Sequence, residues 1–172
     1  MELAGIRPPA SVTLLSPAGL WKRNTPRYNL ISLRATRWFA RHCTKLLSRL
    51  VSYRVGRVLV LGQTHGRPAR MSIEQARGEV SDMALSPGFE ATLAATAARH
   101  LVAGHGIDCP VTVAFGSRDL LLRRRSRRVD QLPPQRRLVT LDRCGHVPTS
   151  DDPVAVTSVI LTATSAAMSA TR

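Results

Sequence analysis

CPVTVAFGSRD at residues 109–119 and RLVTLDRCGHVP at residues 137–148 are the stretches on which the fold of this chain turns. Val111 to Phe115 is a β-branched and apolar run that stops at Gly116, which predicts a buried strand followed by a tight turn. Leu138 to Leu141 is a second such run, and Cys144-Gly145-His146 follows it. Asp119 and His146 thus each lie just past a strand, and standing 27 positions apart they leave room for a crossover. The segment 120–131 carries Arg123, Arg124, Arg125, Arg127 and Arg128 and is expected to form an exposed crossover helix, broken by Pro133-Pro134. A nucleic-acid patch is the alternative for those arginines. In parallel sheets, site residues gather beyond the carboxyl ends of strands, which makes Asp119 and His146 the leading candidates.

Toward the C-terminus, Asp152-Pro153 supplies an N-cap and a first helical residue for a terminal helix. Its apolar positions include Val156, Val159, Ile160 and Ala163, it should cover the last strand, and it is expected to fray after about Ser165. At the other end, residues 2–6 read as the tail of a helix that Arg7-Pro8-Pro9 ends. Ser11 to Leu15 (SVTLL) is then a strand, running into the turn-rich segment Ser16-Pro17-Ala18-Gly19-Leu20-Trp21.

Residues 22–70 hold 12 basic residues and no acidic one. Arg34, Arg37, Arg41, Lys45 and Arg49 recur at spacings of three and four, alongside Leu30, Leu33, Trp38, Leu46, Leu47 and Leu50, so an amphipathic helix with a basic stripe is predicted. Such a stripe suits an anionic membrane surface or nucleic acid, and equally a solvated face over a small core. Two further helices have readable starts. Ser72 with Gln75 forms a capping box for a helix to about Ala84, and Ser86-Pro87 opens another through Phe89, Leu93 and Ala97 to Gly104.

At 172 residues and 44% apolar content the chain is long enough for one domain with a core. Its 25 Lys plus Arg against 11 Asp plus Glu give a net charge of +14, and Lys22 and Lys45 are its lysines. A field of that sign favours anionic partners, while a preference for arginine and alanine also follows from base composition in a GC-rich genome. Cys43, Cys109 and Cys144 are odd in number and widely spaced, which fits reduced thiols in a cytoplasmic protein and shows no zinc-ligand spacing. MELAGIRPPA has neither a basic start nor an apolar segment, so no signal peptide is expected, and no apolar run approaches the roughly 20 residues of a spanning helix.

Strand, Asp119, strand and His146 in this order resemble the C-terminal third of the α/β hydrolases, whose triad runs nucleophile, acid, histidine. The SPAG-type loop after Leu15 resembles the one that follows the sixth strand in that family, and PGFEATL at 87–93 is similar to its last cap helix. The resemblance implies a partial α/β fold with three neighbouring parallel strands at about 11–15, 111–115 and 138–141, a helical cap insertion and a C-terminal helix. It implies residues 1–21 as the start of a truncated core, 22–104 as the cap and 105–172 as the rest of the core. It further implies Asp119 and His146 as the acid and histidine, a small-molecule substrate with an ester-like bond, no cofactor, and a pocket drawn from Ser16, Leu20, Trp21, Phe89 and Val147.

Such a mechanism needs a nucleophile on a sharp strand-to-helix turn, a histidine to take its proton, and an acid to fix the histidine's tautomer. The motif G-x-S-x-G is absent from the sequence. Gly78-Glu79-Val80-Ser81-Asp82 lacks the second glycine and lies in a helical pattern, and Pro17 after Ser16 has no N–H for an oxyanion hole. Cys144 stands too close along the chain to serve His146, and His42, His65, His100 and His105 lack a comparable context and read as surface residues. Singly, Asp119 reads as a helix N-cap and His146 as a loop histidine; together they read as a dyad. Three readings remain: a hydrolase whose nucleophile lies upstream, an inactive fragment, or a basic module for nucleic acid or an anionic membrane. The first strand should be an exposed sheet edge, open to self-association.

Overall fold

The computed structural model describes residues 7, 9–20, 27–98, 107–124 and 127–170. The helix tail expected at 2–6, Trp21, His100 and His105 lie outside these. Among the described residues there is one sheet of three parallel strands, β1 (Val12–Leu15), β2 (Val111–Gly116) and β3 (Arg137–Leu141), in the order β1-β2-β3. The register places Val12 beside Val111 and Thr112 beside Arg137. Among the described residues, five α-helices lie between β1 and β2: α1 (Arg27–His42), α2 (Thr44–Leu50), α3 (Arg54–Leu61), α4 (Ile73–Leu85) and α5 (Phe89–Ala98). A short α6 (Pro148–Asp151) and a long α7 (Pro153–Ala170) follow β3.

All six residues of β2 are buried, as a strand covered on both faces requires, and its alternating side chains feed two cores. Val111, Val113 and Phe115 join Leu20, Ile107, Cys109, Leu122 and Leu132 on one face. Ala114 joins Leu141, Cys144 and Val156 of α7 on the other. The helical insertion has its own small core of Val51, Leu61, Met71, Ala76 and Val80.

Local sequence signals account for several boundaries. The Ser72 side chain accepts from the Gln75 N–H at 3.0 Å and the Gln75 side chain accepts from the Ser72 N–H at 3.1 Å, closing the predicted capping box. Asp152 caps α7 by accepting from the Ala155 N–H at 3.0 Å. The three cysteines are free thiols.

Four expectations are corrected. No α-helix forms among the described residues of 120–136, which hold turns and a 3-10 turn at Val129–Gln131. Arg127 turns inward instead, its guanidinium donating to the carbonyls of Leu122 at 2.9 Å and Gly116 at 3.3 Å and lying 4.1 Å from the Phe115 ring centroid. The predicted basic helix is two helices broken at Cys43, and Trp38, Leu46 and Leu50 on it are exposed rather than packed. Helix α5 starts at Phe89, two residues beyond Pro87, with the Gly88 carbonyl taking the first intrahelical bond from the Thr92 N–H. Helix α7 continues past Ser165 to Ala170 because Ala163 and Ala167 extend the buried stripe begun at Val156.

Candidate functional site

Asp119 and His146 meet beyond the carboxyl ends of β2 and β3. Gly116 closes β2 and packs on the turn after β3: a Cβ built on it would lie 2.7 Å from the Cys144 carbonyl carbon. The close approach brings the two loops into register, and the Arg118 N–H donates to the Cys144 carbonyl at 2.9 Å. Asp119 Oδ1 then accepts from the N–H groups of Leu121 at 2.9 Å and Leu122 at 2.8 Å. This local turn orients the carboxylate so that Oδ2 lies 3.0 Å from His146 Nδ1.

The Asp119 side chain is fully buried while that of His146 is 26% exposed. Burial pushes the Asp119 carboxyl up, but the hydrogen bond from His146, its charge and the two backbone donors outweigh burial and hold it below the ordinary carboxylate range. An ionised carboxylate can only accept, so Nδ1 carries the shared hydrogen and Nε2 is the ring nitrogen left to take a proton.

The His146 ring lines a cavity of about 290 Å³ between the sheet end and the helical insertion. Its apolar wall is Ala18, Leu33, Phe89, Leu93 and Leu121, and its polar groups come from Asn29, Ser86, Thr92 and Thr96. Arg37 of α1 stands 4.7 Å over the Phe89 ring and donates to the Met83 carbonyl at 3.2 Å, fixing the wall on which Phe89 sits. Buried Asn29 donates to the Leu121 carbonyl at 2.8 Å and ties α1 to the loop after Asp119.

Of the predicted pocket residues, Phe89 is on this wall. Leu20 is not: it is 1% exposed and packs under the sheet, because the apolar face there outcompetes a solvent-facing position. Ser16 is buried at the end of β1 with φ of 42°, and its Oγ has no hydrogen-bond partner among the described residues. Val147 is not among the residues that line the cavity, and its N–H donates to the Thr64 carbonyl at 3.0 Å. Asn29 and Leu121 carried no sequence signal and Ser86 signalled only a helix start, since a cavity assembled from separate helices and loops has no spacing along the chain.

His65 is a further correction. It is buried, not a surface residue, with Nδ1 2.9 Å from Thr64 Oγ1 and Nε2 3.4 Å from Glu79 Oε1. His42 is exposed and stacked on Trp38, 4.7 Å between ring centroids.

No protein-family model matches the sequence, and no curated protein is significantly similar to it. Solved structures are similar. A bacterial membrane phospholipase A is 16% identical with a TM-score of 0.61, over 96% of this chain and 53% of that one. A 2-hydroxy-6-oxo-6-phenylhexa-2,4-dienoate hydrolase from Rhodococcus sp. strain RHA1 is 19% identical with a TM-score of 0.54, over 94% and 58%. A meta-cleavage product hydrolase from Pseudomonas fluorescens is 14% identical with a TM-score of 0.54, over 90% and 55%. The chain thus spans little more than half the length of the structures it matches. What the likeness shows is the fold: three parallel strands, the helices between β1 and β2 and the terminal helix form part of an α/β-hydrolase fold.

Proposed function

We propose that this chain supplies the acid and the histidine of a serine-type hydrolase acting on an ester-like bond, with the nucleophile contributed by residues outside this sequence. The observation that carries the reading is the 3.0 Å contact of Asp119 with His146 Nδ1, made by an imidazole that also lines a cavity. Nε2 would take the proton of a serine hydroxyl as it attacks the carbonyl and return it to the leaving alcohol, and Asp119 would stabilise the intervening imidazolium. The mostly apolar wall with Phe89 and Leu93 suits the hydrocarbon part of a small-molecule substrate. By itself the chain is expected to be inactive.

The test reads the coding DNA directly upstream of Met1 for an in-frame G-x-S-x-G, then measures hydrolysis of a short-chain nitrophenyl ester by the polypeptide that carries both. The expected result is turnover that His146→Ala lowers by at least about 10⁴-fold. An in-frame stop without the motif, or turnover indifferent to His146, overturns the reading.

A second reading is a module that binds an anionic membrane surface. It is favoured by Trp38, Val55 and Leu59, which are 54%, 71% and 79% exposed within the segment of 12 basic and no acidic residues. Among the described residues no helix is long and apolar enough to cross a membrane. Sedimentation with anionic vesicles at low salt, weakening as salt rises and absent with neutral vesicles, is the expected outcome. Binding to duplex DNA but not to vesicles, or to neither, would exclude it.

A further inference from the structure

The two residues that flank His146 are both held through their main chain. The Gly145 N–H donates to Asp151 Oδ2 at 2.7 Å, and the Val147 N–H donates to the Thr64 carbonyl at 3.0 Å. Asp151 holds more than its own loop: Oδ2 also accepts from the Gly66 N–H at 2.7 Å, and Oδ1 from the Arg67 N–H at 2.8 Å. Three main-chain donors from two loops thus converge on one carboxylate. The same segment of the insertion reaches the acid loop, because Arg118, beside Asp119, donates from Nη1 to the Gly66 carbonyl at 2.9 Å. The loops touch backbone to backbone, and a Cβ built on Gly145 would lie 2.5 Å from the Thr64 oxygen and 2.6 Å from the Gly66 nitrogen.

Farther out, the segment is anchored to α4. Buried His65 faces Glu79 Oε1 at 3.4 Å, which also accepts from Ser150 Oγ at 3.2 Å, next to Asp151. At 3.4 Å the His65 contact is longer than a well-formed hydrogen bond, and the shorter Ser150 bond completes the anchor. The contact with His65 and the Ser150 bond together hold the Glu79 carboxyl below its ordinary value against the opposing effect of burial.

We propose that Asp151 is the positioning residue for His146: it welds the histidine loop to residues 64–67 of the helical insertion and so fixes the imidazole on Asp119. The catalytic meaning of this clamp rests on the hydrolase reading, but the clamp itself does not. Its consequence is that the helical insertion sets the geometry of the dyad as well as walling the cavity.

The test follows the hydrogen between His146 Nδ1 and Asp119 by proton NMR of the chain, its far-downfield signal assigned by loss in His146→Ala. Asp151→Asn keeps size but turns a hydrogen-bond donor toward main-chain donors. It is expected to abolish the signal or speed its solvent exchange tenfold or more. Ser72→Ala, which weakens α4 away from the site, should leave the signal unchanged. If Asp151→Asn does not fold, Glu79→Gln loosens the same segment at its outer end and should speed exchange by a smaller factor. Absence of the signal in the parent chain overturns the proposal, as does unchanged exchange in the substituted chain that folds or equal loss in Ser72→Ala. Exchange that responds as expected, in a polypeptide whose ester hydrolysis ignores His146, would keep the clamp and end the hydrolase reading.

Discussion

Replacing Asp119 with asparagine probes the site most directly, because the side chain accepts three hydrogens at 3.0, 2.9 and 2.8 Å and is fully buried. The amide oxygen can keep the Leu121 and Leu122 N–H groups, but as bonds to a neutral acceptor. Hydrogen bonds to charged groups contribute about 1.5–3 kcal/mol and neutral ones about 0.5–1.5 kcal/mol, so the two together lose roughly 2 kcal/mol. The third contact reverses: the amide nitrogen now donates to Nδ1, and the ring hydrogen moves to Nε2. A ring with its hydrogen on Nε2 cannot take a proton there, so a polypeptide carrying the nucleophile should lose about 10⁴-fold in turnover, as such a tautomer change does in serine proteases. Urea unfolding measures the first effect, and nitrogen-detected histidine NMR reads the tautomer directly. A stability loss below about 0.5 kcal/mol, within the range of an ordinary surface substitution, or a His146 ring that keeps its Nδ1 hydrogen, would refute the reasoning.

Two further outcomes are expected. Asp119 and Glu79 both ionise more readily folded than unfolded, so their stabilisation is complete above their ordinary values of 3.8 and 4.5 and is lost as pH falls through the lower folded values. Urea unfolding across acid pH should show this, with the loss reduced in Glu79→Gln; an unchanged acid limb would count against the Glu79 pair. At β1, the Val12 and Ser16 N–H groups point to β2, which leaves the Thr13 and Leu15 backbone groups on the open edge. The chain should therefore self-associate with rising concentration in sedimentation velocity, and a monomer throughout the range would refute that expectation.

The strands and their helical caps were legible because their causes are local. An apolar run ending in glycine makes β2, Ser72 with Gln75 starts α4, and Asp152-Pro153 starts α7. Asp119 and His146 could be singled out for a related reason: each follows a strand directly, so parallel strands deliver both to one edge. The crossover was misread because periodicity cannot show that Arg127 would satisfy two carbonyls and cover Phe115 instead of standing on a helix face.

By itself, then, the sequence located the three strand segments, placed Asp119 and His146 just past two of them, and showed the lack of a G-x-S-x-G motif, all of which depend on residues near one another in the chain. Only the tertiary structure decided which side chains wall the cavity, that His65 is buried against Glu79, and that Asp151 binds N–H groups at positions 66, 67 and 145. His65 and Glu79 are 14 residues apart and Gly66 and Asp151 are 85 apart, and packing alone brings such positions together.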